Sequence, residues 1–278
     1  MKFVCVCFLI LSSLAASAQR LQIKERSKKA VTGSEFAKSI NDSLLTIDKR
    51  ELMILEEVHA GNIPGFYRKL VLITDKGIIR GRQHEISYYV LPDFLAIGSD
   101  DDYFYIPVRP ALAQRIADLL GCSLPTRKMS DRIYQQANLK MIPEPIPPGK
   151  AMITVPMFVK HSLLVTEQRR KSLSGQPLGS LVAGNKKDIV ISNKIGTPDG
   201  KSHVVIYGWH TQSGKPIQPL YNGHDADWVD YSHGVRLIQN KIWIDGKRKS
   251  LRRALKSTDF HVLLSDEGAI KNAYYPKH

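Results

Sequence analysis

Apolar residues recur every three or four positions in three segments of the chain, which is the spacing of one face of an α-helix, and a fourth segment follows residues that open helices. Glycine follows the first two of these segments, at Gly61 and Gly121, and stops each predicted helix. Threonine and proline at 125–126 and 154–156 open the other two. The pattern predicts helices over residues 34–59, 110–120, 125–137 and 157–171.

Short runs of β-branched and aromatic residues alternate with turn residues elsewhere in the chain, and such runs indicate strands. Asp75, Lys76 and Gly77 stand between two runs and are predicted to form a hairpin turn. The predicted strands cover residues 69–75, 78–83, 86–90, 103–108, 181–184, 188–192, 203–209, 235–238, 241–245 and 261–265.

The order of these elements predicts the fold class. Helices are segregated from strands, and the strands are short and linked by hairpins. This favours an α+β fold with a mixed, mainly antiparallel sheet. We predict a single compact domain over residues 34–278, made of two lobes with a boundary near 143–150, where the sequence is rich in proline.

The first eighteen residues predict export. Lys2 precedes an apolar run over residues 3–14, which is too short for a membrane span, and Ala16-Ser17-Ala18 forms a small-residue cleavage site. Residues 1–18 are therefore interpreted as a signal peptide and residues 19–33 as a flexible basic lead-in. The mature chain is expected in the periplasm or outside the cell, with no transmembrane segment.

Charge narrows the class of partner. The chain has a net charge of +14, and loss of the signal peptide removes only Lys2, which leaves +13. A charge of this size attracts polyanions, which outside the cytoplasm are cell-wall and other acidic envelope polymers. No nucleic-acid motif accompanies the charge, so nucleic acid is not expected as a partner. The oligomeric state is left open.

Residues 207–236 are the densest source of candidate chemistry. The segment holds three histidines, three aspartates, two tryptophans and three tyrosines, interrupted by glycines and prolines. Ionisable groups and aromatic rings on irregular backbone are typical of a ligand or catalytic site. Functional residues are therefore expected here.

Cys122 is the candidate nucleophile. Cleavage of the signal peptide removes Cys5 and Cys7, so this thiol has no cysteine partner. It precedes the helix predicted over 125–137, whose free N–H groups would lower the pKa of a nearby thiol. The alternative is a buried, inert cysteine that packs as a small apolar residue.

Histidines supply the candidate bases. If residues 230–234 are extended, His233 lies on the opposite face from Asp230, and Gly234 leaves the imidazole accessible. His210 ends a predicted strand beside Trp209, whose ring is suited to a sugar or peptide. Either Asp230 or His210 is expected to orient the base. The other predicted substrate-binding residues are His224, Tyr231, Arg236, Lys186 and Lys187.

Two alternatives to a thiol enzyme remain open. His210, His224 and His233 could bind a divalent metal such as zinc, although their spacing matches no standard zinc signature. The protein could instead hold an acidic envelope polymer without catalysis. Our first expectation is an enzyme without a cofactor.

Four strings carry a resemblance: GCSLPTRKM (121–129), LVAGNKKD (181–188), YGWHTQSGKPIQPL (207–220) and DYSHGVRL (230–237). They resemble a group of exported bacterial proteins of unassigned function. Separately, Gly121-Cys122-Ser123 and the strand that begins at His203 resemble the NlpC/P60 cysteine peptidases of peptidoglycan. That resemblance implies Cys122 as nucleophile and His203 as base. In place of the glycine of that family's motif, this chain has Leu124.

These observations lead to one functional hypothesis with its alternatives. We expect a secreted hydrolase of cell-envelope material that cleaves amide bonds of peptidoglycan peptides. Cys122 would attack the carbonyl and His233 or His203 would accept the proton. The metal-dependent hydrolase and the polymer-binding protein are the alternatives.

Overall fold

The computed structural model describes residues 19–172, 175–196 and 200–276. The predicted signal peptide, residues 1–18, lies outside the described residues. The helices are α1 (Gly33–Ser39), α2 (Ile47–His59), α3 (Pro110–Leu119), α4 (Arg127–Gln136), α5 (Val155–Lys171) and α6 (Leu251–Lys256). The strands are β1 (Val71–Ile79), β2 (Arg82–Val90), β3 (Ala96–Gly98), β4 (Tyr103–Tyr105), β5 (Cys122–Ser123), β6 (Leu139–Lys140), β7 (Val182–Ala183), β8 (Lys187–Ile189), β9 (His203–His210), β10 (Pro216–Asp225), β11 (His233–Gly234), β12 (Ile238–Ile244) and β13 (Lys247–Ser250).

Two sheets organise the molecule. The larger has the order β1-β2-β12-β13, with β5 also paired to β12, and all of its pairs are antiparallel. The smaller has the order β10-β9-β8-β11, and its β8–β11 pair is parallel. With helices alongside them, these sheets confirm the predicted α+β class and the mainly antiparallel pairing. The division into two lobes stays a prediction.

Local sequence explains most of the element ends. Pro110 opens α3, where its missing N–H is no loss, and the Thr126 side chain accepts a hydrogen bond from Met129 N at the start of α4. Arg80-Gly81 and Asp245-Gly246 all have positive φ, between 49° and 77°. Two successive left-handed residues make the tight turns that join β1 to β2 and β12 to β13.

The helix predictions over 110–120, 125–137 and 157–171 are confirmed to within about two residues. The predicted 34–59 helix is two helices, α1 and α2, with a break between them. The hairpin turn predicted at 75–77 is wrong, because these residues lie inside β1 and the chain turns at 80–81 instead. The strand predicted at 261–265 is also wrong, because a short 3-10 helix, Phe260–Leu263, lies there.

Strand β10 was not among the predicted strands. It is the outer strand of the smaller sheet, and its residues alternate between partly buried and exposed. Its register with β9 shifts twice, between Gln218 and Tyr221 and between Tyr221 and His224. Pro216 and Pro219 have no backbone N–H, so the strand lacks a hydrogen-bond donor at these two positions.

Residues 19–33 run along the domain before α1. Leu21 is buried and its backbone N–H donates to the Arg68 carbonyl at 2.8 Å, and Leu70 N donates to Gln19 O at 2.9 Å. These contacts attach the basic lead-in to the core. Of the helices in the described residues, none has the length and apolar character of a membrane span.

Candidate functional site

Strand pairing brings together three segments that are distant in sequence. In the smaller sheet His233 of β11 is opposite Lys187 of β8, and Lys187 is opposite Gly208 of β9. Gly234 is required at this junction, because a Cβ there would stand 2.5 Å from a ring carbon of Phe94. The close approach of these strands places the DYSHG segment against the KKD segment.

Asp230 and His233 converge at the start of β11. Oδ1 of Asp230 accepts hydrogen bonds from the Ser232 backbone N–H at 2.8 Å and from the Ser232 hydroxyl, and His233 N donates to Asp230 O. Residues 230–233 therefore form a turn, and the predicted extended conformation is wrong. The turn brings Nε2 of His233 to 3.7 Å from Oδ2 of Asp230.

Lys186 is fully buried beside this turn. Its ammonium donates to the Tyr231 carbonyl at 2.7 Å and lies 3.0 Å from Nδ1 of His161 in α5. It also lies 5.7 Å from the centre of the Tyr105 ring. Burial lowers the pKa of Lys186 to about 7, against the opposing effect of Asp230 and Asp93. The lysine can therefore exchange a proton near neutral pH.

Aromatic rings enclose these charges. Trp209 packs edge-on against His161 and Tyr231, and the Lys187 ammonium lies 5.2 Å from the centre of its ring. Trp209 has a φ of +57°, a left-handed conformation that bulky residues rarely adopt. Backbone strain of this kind concentrates at functional sites. Nearby, Nε1 of Trp228 donates to Asp230 Oδ2 at 3.4 Å, and its ring stacks on His224.

We call this set of side chains the buried polar cluster. It consists of His161, Lys186, Lys187, Trp209, His224, Trp228, Asp230, Tyr231, Ser232 and His233. Four of its buried nitrogens have no hydrogen-bond partner within the described residues: Nε2 of His161, Nε1 of Trp209 and both ring nitrogens of His233. Leaving such a group unpaired costs roughly 1–3 kcal/mol. Their concentration in one place indicates a site that a ligand or water completes.

Burial and neighbouring groups together set the charges of His233 and Asp230. Burial lowers the pKa of His233 to about 4, although Asp230 opposes this effect. Burial alone would raise the pKa of Asp230, but His233, Lys187 and the Ser232 hydrogen bonds outweigh it and hold that pKa well below its usual value. At neutral pH His233 is therefore an uncharged imidazole beside an ionised carboxylate.

His210 belongs to a different environment. Its Nε2 lies 2.8 Å from Oδ1 of Asp131, which also accepts a hydrogen bond from the Tyr207 hydroxyl at 2.7 Å. Its ring stacks on Tyr134, 4.5 Å between centres, at the wall of a cavity of about 330 Å³. His210 and Asp188 both approach Gly208, within 3.6 Å of where its Cβ would be. His210 is thus held by Asp131 and is not bonded to His233.

Cys122 lies outside the cluster, in the larger sheet. It is in β5, not at a helix N-terminus, since α4 begins at Arg127. Its thiol is 1% exposed and donates to the Leu120 carbonyl at 3.3 Å. Burial raises the pKa of the thiol to about 12, although Arg252 opposes this effect. The thiol is therefore protonated at neutral pH, and its surroundings favour the inert alternative.

The remaining predicted residues take structural positions. Nδ1 of His203 lies 2.8 Å from the Asn222 carbonyl at the opposite end of β9 from His210. The guanidinium of Arg236 is buried, donates to the carbonyls of Leu91 and Val182, and lies over the Phe94 ring. Arg236 thus ties loops together and does not face solvent. Across the described residues, no three His, Cys, Asp or Glu side chains are grouped so as to hold a metal ion.

His161 and Asp131 contact predicted site residues but were not themselves predicted. His161 is in the middle of α5, and its link to Lys186 depends on how the helix packs on β8. Asp131 is on α4, and its partners Tyr207 and His210 come from β9, more than seventy residues later. Neither partnership has a local sequence signal.

Comparisons with known proteins add no relative from which a function could be transferred. No family model matches the chain, and no significant match was found among curated proteins or solved structures. The geometry of the buried polar cluster is therefore the basis for proposing a function.

Proposed function

We propose that the protein is a secreted hydrolase of cell-envelope material, with the amide bonds of peptidoglycan peptides as its substrate, and that His233 is its general base. The observation that carries the proposal is the buried His233 imidazole, whose two nitrogens have no hydrogen-bond partner in the described residues and which lies 3.7 Å from Asp230. A neutral imidazole beside a carboxylate is suited to accept a proton.

In the proposed reaction, water attacks the amide carbonyl while His233 takes one of its protons. The resulting imidazolium is stabilised by Asp230. Collapse of the tetrahedral intermediate breaks the C–N bond, and His233 returns the proton to the leaving amine. His233 therefore ends the cycle neutral, and no redox partner is needed.

The lysines support the same chemistry. Lys187 lies opposite His233 in the β8–β11 pair, and its positive charge would stabilise the negative charge that develops on the carbonyl oxygen. Lys186, which donates to the Tyr231 carbonyl, is only about half protonated near pH 7. The partly exposed members of the cluster are Lys187, His224 and Trp228, so we propose that substrate approaches on their side. The predicted acidic envelope polymer would be favoured by this positive charge.

The Cys/His mechanism is less well supported than this one. Cys122 is buried in β5, and its hydrogen-bonding and strand-pairing partners within the described residues are Leu120, Gln239, Asn240 and Arg252, none of them a histidine. A mechanism that uses water therefore fits the positions of the side chains better than a thiol nucleophile.

The test is release of soluble peptide fragments from purified peptidoglycan sacculi. We expect His233→Gln to lower the rate at least about a hundredfold, the usual contribution of a general base. His84→Gln is the matched control, because His84 also lies beside an aspartate, Asp245 at 2.6 Å, but on the surface. Cys122→Ser is expected to retain activity.

The dependence of the hydrolysis rate on pH is a second test of His233 as the general base. Since the pKa of His233 is lowered to about 4, activity should fall only as the pH drops towards that value. Unchanged turnover in His233→Gln, with the same far-UV circular dichroism as the wild type, would rule out this role. Loss of activity in Cys122→Ser with a normal fold would restore the thiol mechanism.

A further inference from the structure

A second feature of the molecule is a basic groove between β12, β13 and α6. Its volume is about 630 Å³, and it lies on the larger sheet, whereas the buried polar cluster lies on the smaller one. The groove is lined by Asn240, Lys241, Arg248, Lys249, Ser250, Arg253, Ala254 and Phe260. Four of these residues are cations and none is an acid.

The fold exposes these cations. β13 is the outer strand of the larger sheet, and its register places Lys249 opposite Ile242 and Ser250 opposite Lys241. Ser250 then caps α6, which buries Leu251, Ala254 and Leu255 and leaves Arg253 exposed. The strand edge and the outer face of the helix therefore form the two walls of the groove.

The charges in the groove are left unpaired. Within the described residues, Lys241, Arg248, Lys249 and Arg253 form no ion pair with a carboxylate. The neighbouring Arg252, in contrast, forms an ion pair with Asp118. The groove thus keeps four like charges close together, which is unfavourable until an anion binds.

We propose that this groove binds a polymer that carries phosphate groups. Arg248 and Arg253 offer planar guanidinium groups, which match the geometry of phosphate oxygens, and Lys241 and Lys249 add point charges. The four cations come from three elements, since Lys241 is on β12, Arg248 and Lys249 are consecutive on β13, and Arg253 is on α6, so a chain in the groove can meet more than one cation. The polymer would lie along the strand edge.

The shape of the groove favours a flexible polymer over a membrane or a nucleic acid. A membrane surface is bound by a protruding basic face with apolar anchors, whereas this site is concave and Phe260 is its one large apolar side chain. A single-stranded nucleic acid needs several rings on which its bases stack. The Lys249 ammonium, 5.4 Å from the Phe260 ring centre, already covers the ring.

The experiment measures binding of a synthetic poly(glycerol phosphate) at about 0.15 M salt. The protein carries His233→Gln, so that binding is measured apart from hydrolysis and the two proposals succeed or fail separately. Lys241→Gln with Lys249→Gln is compared with Lys28→Gln and Lys29→Gln, two exposed lysines of the lead-in. Both pairs remove the same charge.

The groove pair is expected to weaken binding about tenfold or more, and the lead-in pair less than about twofold. Arg248→Lys with Arg253→Lys keeps the charge and should still weaken binding, because the planar fork is lost. Equal weakening by both lysine pairs would show that net charge alone acts and would overturn the proposal. Tighter binding to phosphatidylglycerol vesicles, to an oligonucleotide or to polyglutamate would overturn it as well.

Discussion

The burial of Lys186 leads to a quantitative prediction of how the free energy of unfolding depends on pH. Burial lowers its pKa from 10.5 to about 7. The folded protein therefore binds fewer protons at this position than the unfolded chain between these two pH values. The free energy of unfolding must therefore rise with pH in this window. The amine is largely neutral in the folded protein, whereas in the unfolded chain it loses its proton only near pH 10.5.

The magnitude follows from the two pKa values. With one pKa unit equal to about 1.4 kcal/mol, keeping Lys186 buried costs about 4 kcal/mol at pH 7 and about 2 kcal/mol at pH 9. Lys186→Met has a similar length and no titratable group. We therefore expect the wild type to gain about 2 kcal/mol relative to this variant when the pH rises from 7 to 9.

The assay is urea unfolding followed by tryptophan fluorescence at the two pH values. Other titrating groups are common to both proteins and cancel in the comparison. Lys38→Met, on the exposed face of α1, is the control and should show no pH-dependent difference. The same difference in unfolding free energy at pH 7 and pH 9 would refute a neutralised buried lysine.

Two further predictions concern other buried positions. Because burial raises the pKa of the Cys122 thiol to about 12, iodoacetamide should leave this thiol unmodified in the folded protein at pH 8 and should alkylate it once urea unfolds the chain. Mass spectrometry would detect the modification. Rapid alkylation of the folded protein would contradict the burial of this thiol. Gly234→Ala should lower the free energy of unfolding by about 2 kcal/mol or more, because the new methyl group would overlap the Phe94 ring, whereas Gly149→Ala, with open space around it, should be neutral. Equal melting temperatures for these two variants would refute that close packing.

Helical periodicity and helix-capping residues are enough to predict three of the helices, whereas turn residues place the first hairpin turn wrongly. Helices α3 and α4 have an apolar face, and α3, α4 and α5 each have an opening proline or threonine cap. Strand β10 lacks such a signal because asparagine, glycine and proline interrupt it, and its pairing with β9 determines its conformation. Where partner strands decide the structure, local patterns are insufficient.

The candidate site could be predicted only in part, because its residues are also brought together by long-range strand pairing. Residue types identified the region 207–236, and His233, Asp230, Trp209 and Tyr231 do converge in the buried polar cluster. The position of Cys122 depends on pairing with Gln239, 117 residues away in sequence, which replaces the predicted helix terminus with a strand. Such long-range pairings separate Cys122 from the histidines, and no spacing along the chain encodes them.

The irregular outer strand β10 has a consequence for association between molecules. A long, regular strand at the edge of a sheet exposes unpaired N–H and C=O groups to which a second copy can add. In β10 the two register shifts change the twist of the strand, and Pro216 and Pro219 remove donors from its edge. We therefore expect concentrated protein to resist edge-to-edge aggregation along β10, even though this strand spans ten residues.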